Sequence, residues 1–140
     1  MVTEDVKKYF LEHGRVATIA TNRRNAGPNM SPLWFLWEEQ NQVFIISTYD
    51  GAAKVKTLRR DPNMSLLIDD PVNNLGVYVL VYGKGEIIGP GENAVEPSLA
   101  LIKKYRYTDA ASLQHWKEIN EDGQRVIIRM TPEEWHWRDV

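Results

Sequence analysis

Near the N-terminus the apolar positions recur at helical spacing. Val6, Tyr9 and Phe10 follow Thr3, a side chain suited to cap a first turn, so a short helix is predicted up to His13, with Gly14 ending it. The period then changes. Arg15–Thr21 is β-branched and small, Met30–Trp37 is rich in aromatics and Val43–Thr48 is an apolar run, and each predicts a strand. Asn22–Pro28 between the first two reads as a hairpin loop. Tyr49-Asp50-Gly51 predicts a turn, with Asp50 as N-cap of a short helix from about Ala52 to Arg60 that Asp61-Pro62 terminates. Met64–Ile68 is a further strand and Asp69–Asn74 a loop. Val77–Ile88 is the longest strand, with Gly83 and Gly85 marking a bulge or bend. A helix follows with Pro97 in its first turn and Val95, Leu99, Ile102 and Tyr105 on one face. A second, capped by Asp109, carries Leu113 and Trp116. Arg125–Met130 is the last strand, continuing after Pro132 toward Trp135 and Trp137.

About six strands with helices at three places do not alternate as parallel β-α-β units would. The pattern predicts one domain over residues 1–140, mainly β: a six-stranded antiparallel barrel with appended helices. Val77–Tyr82 and Met30–Trp37 are apolar at both parities, whereas a strand covering only a core alternates. Their outer faces need cover, and a second copy of the chain supplies it most simply, so self-association is expected.

Composition narrows the function. A formal net charge of −2 argues against a nucleic-acid partner. With no cysteine, disulfides, thiolate metal sites and a cysteine nucleophile are excluded. The first residues lack a signal-peptide core, and the longest apolar stretch, Val77–Tyr82, is too short to span a bilayer. The expectation is a cytoplasmic protein with no membrane partner.

Lys54, Lys56, Arg59 and Arg60 cluster where a strand ending in Ser47-Thr48 passes through a turn into a helix. Free amides at a helix start, with a lysine nearby, suit a phosphate, although such clusters are also ordinary solvated faces and an Asp50 cap would compete with an anion. Gly83-Lys84-Gly85 fails as a dinucleotide motif because the spacing is wrong and it lies inside a strand. His13, His115 and His136 lack paired-ligand spacing; His13 suits a dipole contact at a helix C-terminus, and His136 points away from its two flanking indoles. No Gly-x-Ser-x-Gly elbow is present. The five tryptophans suit a core or a dimer interface by default, and a flat aromatic cofactor would also stack against such rings.

The ordered segments Gly14–Thr21, Gly27–Phe35, Ser47-Thr48, Lys54–Leu66 and Tyr82–Ile87, above all Lys-x-x-x-Leu-Arg-Arg-Asp-Pro, resemble the pyridoxamine 5′-phosphate oxidase-like split-barrel superfamily over nearly the whole chain. Within it, the chain looks most like the flavin/deazaflavin oxidoreductase branch that uses coenzyme F420. The resemblance implies a Greek-key split β-barrel, a homodimer and cofactor sites at the dimer interface. By matching position, Lys54 would contact the cofactor phosphate, with Lys56 and Ser47, and more weakly Thr48, beside it. Ser31, Pro32 and Trp34 would run along the isoalloxazine-type ring, and Tyr78 would reach the site from the interface. Arg60, with Lys56 and Arg59, could serve a longer anionic tail. Ala52 and Ala53 stand where many relatives carry an Arg or Ser. The implied activity is hydride transfer between F420 and a small organic acceptor. The alternatives are an FMN-dependent oxidase or reductase, a non-catalytic carrier of F420, FMN, haem or a tetrapyrrole, and a dimeric scaffold whose site is lost.

Overall fold

A computed structural model describes residues 2–70, 76–105 and 108–139. Helix α1 spans Glu4–Glu12, with the Thr3 hydroxyl accepting from the Val6 amide at 3.2 Å. It ends one residue earlier than the pattern suggested: His13 is the extended C-cap, and Gly14 is not in a left-handed conformation. The strands are β1 (Val16–Thr21), β2 (Asn29–Trp34), β3 (Leu36–Glu38), β4 (Val43–Tyr49), β5 (Asn63–Asp69), β6 (Val77–Ile88) and β7 (Arg125–Asp139). Helix α2 (Ala53–Arg60) follows β4, while a 3-10 turn (Glu92–Ala94), α3 (Val95–Lys104) and α4 (Ala110–Glu121) lie between β6 and β7. Asp109 caps α4 by accepting from the Ser112 amide at 2.9 Å. The expected loop after Asp69 falls largely on residues 71–75, outside the described residues.

Among the described residues the strands form one antiparallel sheet in the order β2-β1-β5-β6-β7-β4-β3. The β5-β6-β7 meander with β4 returning beside β7 is a Greek-key arrangement. The strand count is seven rather than six because Met30–Trp37 is not one strand: Phe35 interrupts it. β2 and β3 lie at opposite edges of the sheet, yet Phe35 alone separates them, so the sheet must curl until its edges approach. The result is a half-barrel with helices packed around it, the split-barrel fold. Sequence periodicity could not reveal the break, since both edges present apolar residues.

Inside the curl, Phe10, Phe35, Phe44, Ile46, Leu66, Val81, Ile128 and Met130 form the core. A smaller cluster, Val43, Ile45, Ala94 and Ile127, sits on the opposite face of β4 and β7. This division explains why both parities of these strands are apolar: the helical insert covers their outer face. The seam at Phe35 is clasped by the end of α3. Tyr105 accepts from the Phe35 amide at 3.2 Å and donates to the Arg15 carbonyl at 2.6 Å. The Lys104 ammonium donates to the Phe35 carbonyl at 2.7 Å and sits 3.6 Å from the centroid of that ring.

The bulge expected near the strand glycines occurs between Tyr82 and Gly83. A Cβ on Gly83 would lie 2.1 Å from the Thr131 carbonyl oxygen, so the crossing of β6 and β7 leaves no room for a side chain. The outer faces of β1, β2, β5 and β6 are less covered. Met30 (61 % exposed), Val16 (42 %) and Tyr82 (40 %) lie there, with Leu67 and Leu80 half-buried.

Candidate functional site

Alternation along β4 decides which predicted side chains can meet a ligand. Phe44 and Ile46 point into the barrel, so Thr48, which is buried, turns inward with them, and Ser47 faces the helical insert. Ser47 lines a pocket of about 260 Å³ on the outer side of the barrel, between β1, β2, α3, α4 and the start of β7. Pro32 and Trp34 form part of its wall, Leu101 and Ile102 come from α3, and Trp116 and Arg125 complete it. The Trp34 ring is stacked on Tyr105 at 4.4 Å and 8°. Ser31 points to the other face of β2 from its neighbour Pro32, and its hydroxyl is buried without a partner among the described residues.

Arg125 is the residue that sequence reasoning missed. It pairs across the sheet with Tyr49, and its guanidinium lies between the Tyr49 ring (4.6 Å) and the Trp116 ring (4.8 Å). Its Nε donates to Ser47 Oγ at 3.0 Å. Behind it, Ser47 Oγ is 3.4 Å from Ser98 Oγ, and Asn120 donates to Ser98 Oγ at 3.1 Å and to the Trp116 carbonyl at 2.6 Å. Ser47, Ser98, Asn120 and Arg125 are all buried, so the network fixes one orientation of the guanidinium. The only local signal was a lone arginine opening an apolar strand, Val126–Ile128.

Lys54 occupies the first turn of α2. Burial, and then the positive charge of Arg125, hold its ammonium below its usual pKa. Among the described residues neither Lys54 nor Arg125 forms an ion pair, and Lys54, unlike Arg125, does not line the pocket. The expected Asp50 cap is corrected: the N-cap of α2 is Ala52, which makes no side-chain hydrogen bond, and Asp50 instead binds Arg59 at 2.8 Å. The amides of the first turn are therefore left without a side-chain competitor for an anion.

The remaining predicted residues are dispersed. Lys56 is exposed on α2. The Arg60 guanidinium donates to the Asn22 carbonyl. Tyr78 lies on β6 between Asp69 and Arg138 and does not line the pocket. His13 is buried, and its Nδ1 accepts from the Arg15 amide at 3.1 Å. Burial, with Lys104 nearby, lowers its pKa, so it is not the helix-end cation that its position suggested. His136 does face away from its flanking indoles, toward Tyr82 at 5.5 Å, while Trp135 and Trp137 stack on each other. No helix among the described residues is long and apolar enough to cross a membrane.

The curled antiparallel sheet and its seam define a split-barrel protein. The model of the pyridoxamine 5′-phosphate oxidase family matches residues 3–138, and the chain belongs to that family. A comparison with curated protein sequences gave no match. Among solved structures, a conserved hypothetical protein of Mycobacterium tuberculosis superposes with a TM-score of 0.79 at 20 % identity, covering 99 % of this chain and 86 % of that one. A heme storage protein of Vibrio cholerae gives 0.71 at 13 %, covering 99 % and 95 %. An F420 reductase gives 0.65 at 23 %, covering 92 % and 94 %. At these identities the likeness is one of fold.

Proposed function

We propose that this chain is an oxidoreductase that holds a flavin-type cofactor, F420 in preference to FMN, in the pocket beside Pro32, Trp34 and Ser47. The observation that carries this reading is Arg125, held by Ser47 and without a carboxylate partner among the described residues, in the wall of an aromatic pocket, with Lys54 outside that wall at the uncapped start of α2. A fixed guanidinium, with a lysine and free amides at a nearby helix start, suits a phosphate. Arg125 supplies from β7 the second cation that Ala52 and Ala53 do not supply from the helix. Lys56, exposed on the same helix, is available to a longer anionic tail, which favours F420 over FMN. The likeness to an F420 reductase supports the same choice.

Such a cofactor, when bound, supplies hydride transfer to a small organic acceptor. The chain's own work is to grip the phosphate through Arg125 and Lys54, to orient the ring along Pro32 and Trp34, and to keep water out with Leu101, Ile102 and Trp116. The pocket of one chain, about 260 Å³, is just below the range usual for small-molecule sites. Its position beside the poorly covered outer face of β1, β2, β5 and β6 accords with a homodimer in which a second copy completes it. Tyr78 would then serve the partner's site rather than its own.

Titrating the purified protein with F420 and with FMN, followed by cofactor fluorescence, tests this. The expected result is micromolar or tighter binding of F420 with FMN weaker. Preference for FMN would move the assignment to an FMN-dependent oxidase or reductase, and binding of neither would refute it. Bound F420 that is never reoxidised by any acceptor in a panel would make the protein a carrier rather than an enzyme.

A further inference from the structure

Three of the five tryptophans have no part in the pocket just described. Trp37, Trp135 and Trp137 line a separate cleft of about 640 Å³ beneath α1. Trp135 and Trp137 are parallel (3°) with centroids 6.2 Å apart along β7, and Trp37 stands at 86° to Trp135 with centroids 5.4 Å apart. The indoles therefore form a corner rather than a flat patch, and all three are only half-buried. Each indole packs one side against the core rings Phe10 or Phe44 and leaves its remaining surface to the cleft.

The charge around the corner has a sign. Four carboxylates, Glu4, Asp5, Glu12 and Glu39, line the cleft against two lysines. Glu39 is held at the edge of the corner, accepting from Trp37 Nε1 at 2.6 Å. One of the lysines already shows what the surface accepts: the Lys7 ammonium, tethered to Glu4 at 3.3 Å, lies 5.8 Å from the Trp137 ring centroid. Aromatic faces meeting at an angle with a carboxylate at the rim attract a soft cation through the ring quadrupole and repel an anion.

We propose that this cleft is a binding site for an organic cation, a quaternary or alkylated ammonium group, distinct from the cofactor pocket. An alkylated ammonium suits the corner better than a metal ion or a bare amine, because its methyl groups bury against the indoles while its charge faces the rings and Glu39. Lys7 acts as a resident competitor that a ligand displaces.

The test is a titration of the full chain with tetramethylammonium and with choline, read by tryptophan fluorescence and calorimetry. Sodium chloride holds ionic strength constant, and tert-butanol serves as a neutral probe of similar size. Saturable binding of both cations is expected, with tert-butanol about tenfold weaker or more. Glu39→Gln should weaken the cations, and Lys7→Ala should strengthen them about threefold by removing the competitor. Glu39 is exposed and Lys7 only half-buried on α1, outside the core, so the test does not depend on a tryptophan variant folding; Trp135→Leu, if folded, should abolish the response. Equal responses to cation and alcohol, no saturable response, or indifference to both Glu39→Gln and Lys7→Ala would overturn the proposal. So would a flat titration combined with a shift of the monomer–dimer equilibrium in Trp135→Leu, since a second copy would then cover the corner.

Discussion

Arg125 Nε donates to Ser47 Oγ at 3.0 Å, joining the first residue of the last strand to a serine on the strand beside it. Neither residue explains the other in sequence. The bond exists because β4 and β7 pair in register, with Ser47 opposite Ile127 and Tyr49 opposite Arg125. This pairing puts a cation at a pocket whose other members come from the opposite edge of the sheet and from the helical insert.

Behind that bond, Asn120 and Ser98 act as positioning residues. Asn120→Ala removes the donor to Ser98 Oγ and to the Trp116 carbonyl, and should cost about 1–3 kcal/mol of stability as buried groups lose partners. Cofactor affinity should fall further than Ser47→Ala alone would cause, because Trp116 forms one wall for the guanidinium. Urea denaturation and cofactor titration on the same variant check both parts. Lost stability with unchanged affinity would make the network structural only.

Lys104 predicts a pH dependence. Burial pulls its pKa down to about 7 from the ordinary 10.5, with Glu12 opposing. Between those values the unfolded chain binds a proton that the folded chain has shed, so this contribution to stability rises with pH across that window. One proton corresponds to a slope of at most about 1.4 kcal/mol per pH unit. Relative to Lys104→Met, the wild type should gain stability from pH 7 to 10. Urea midpoints read by tryptophan fluorescence at several pH values in that range check this, and parallel curves for the two proteins would contradict it.

Gly83→Ala should be destabilising out of proportion to its size. The added carbon meets the Thr131 carbonyl oxygen at 2.1 Å, and backbone on both strands must shift to relieve it. Overpacking of this kind costs about 1–3 kcal/mol or more. A fall in thermal midpoint of several degrees, with far-UV circular dichroism intact at low temperature, is the expected result.

Met30→Glu combined with Tyr82→Glu places two charges on the poorly covered outer face without touching the core. If a second copy covers that face, the variant should sediment as a monomer and bind cofactor more weakly, while its circular dichroism stays that of the wild type. A variant that remains a dimer would place the interface elsewhere.

Much of this was legible in the chain itself, for identifiable reasons. Thr3, Asp109 and Asp61-Pro62 mark helix ends by local chemistry, and each acts where it was expected. Pro32, Trp34 and Ser47 were grouped by a family pattern, and the fold does bring them to one pocket. The family pattern places Thr48, more weakly, beside Ser47, but alternation along β4 turns the two side chains to opposite faces. Asp50 looked like a cap but pairs with Arg59, a contact across a full helix that no local rule anticipates. Phe35 was hidden inside an apolar run, and Arg125 meets Ser47 only through strand pairing between distant segments. Long-range register was the missing information in both cases.

The most direct test of the central claim is a cofactor titration of wild type, Lys54→Ala, Arg125→Ala and, as a control far from the pocket, Lys84→Ala. A charged hydrogen bond to a phosphate contributes about 1.5–3 kcal/mol, so Lys54→Ala and Arg125→Ala should each weaken F420 binding by about tenfold or more. Lys84→Ala, whose ammonium instead binds Asn63 and faces Glu133, should leave it unchanged. Folded Lys54→Ala and Arg125→Ala variants with wild-type affinity would contradict the assignment of this pocket as the cofactor site.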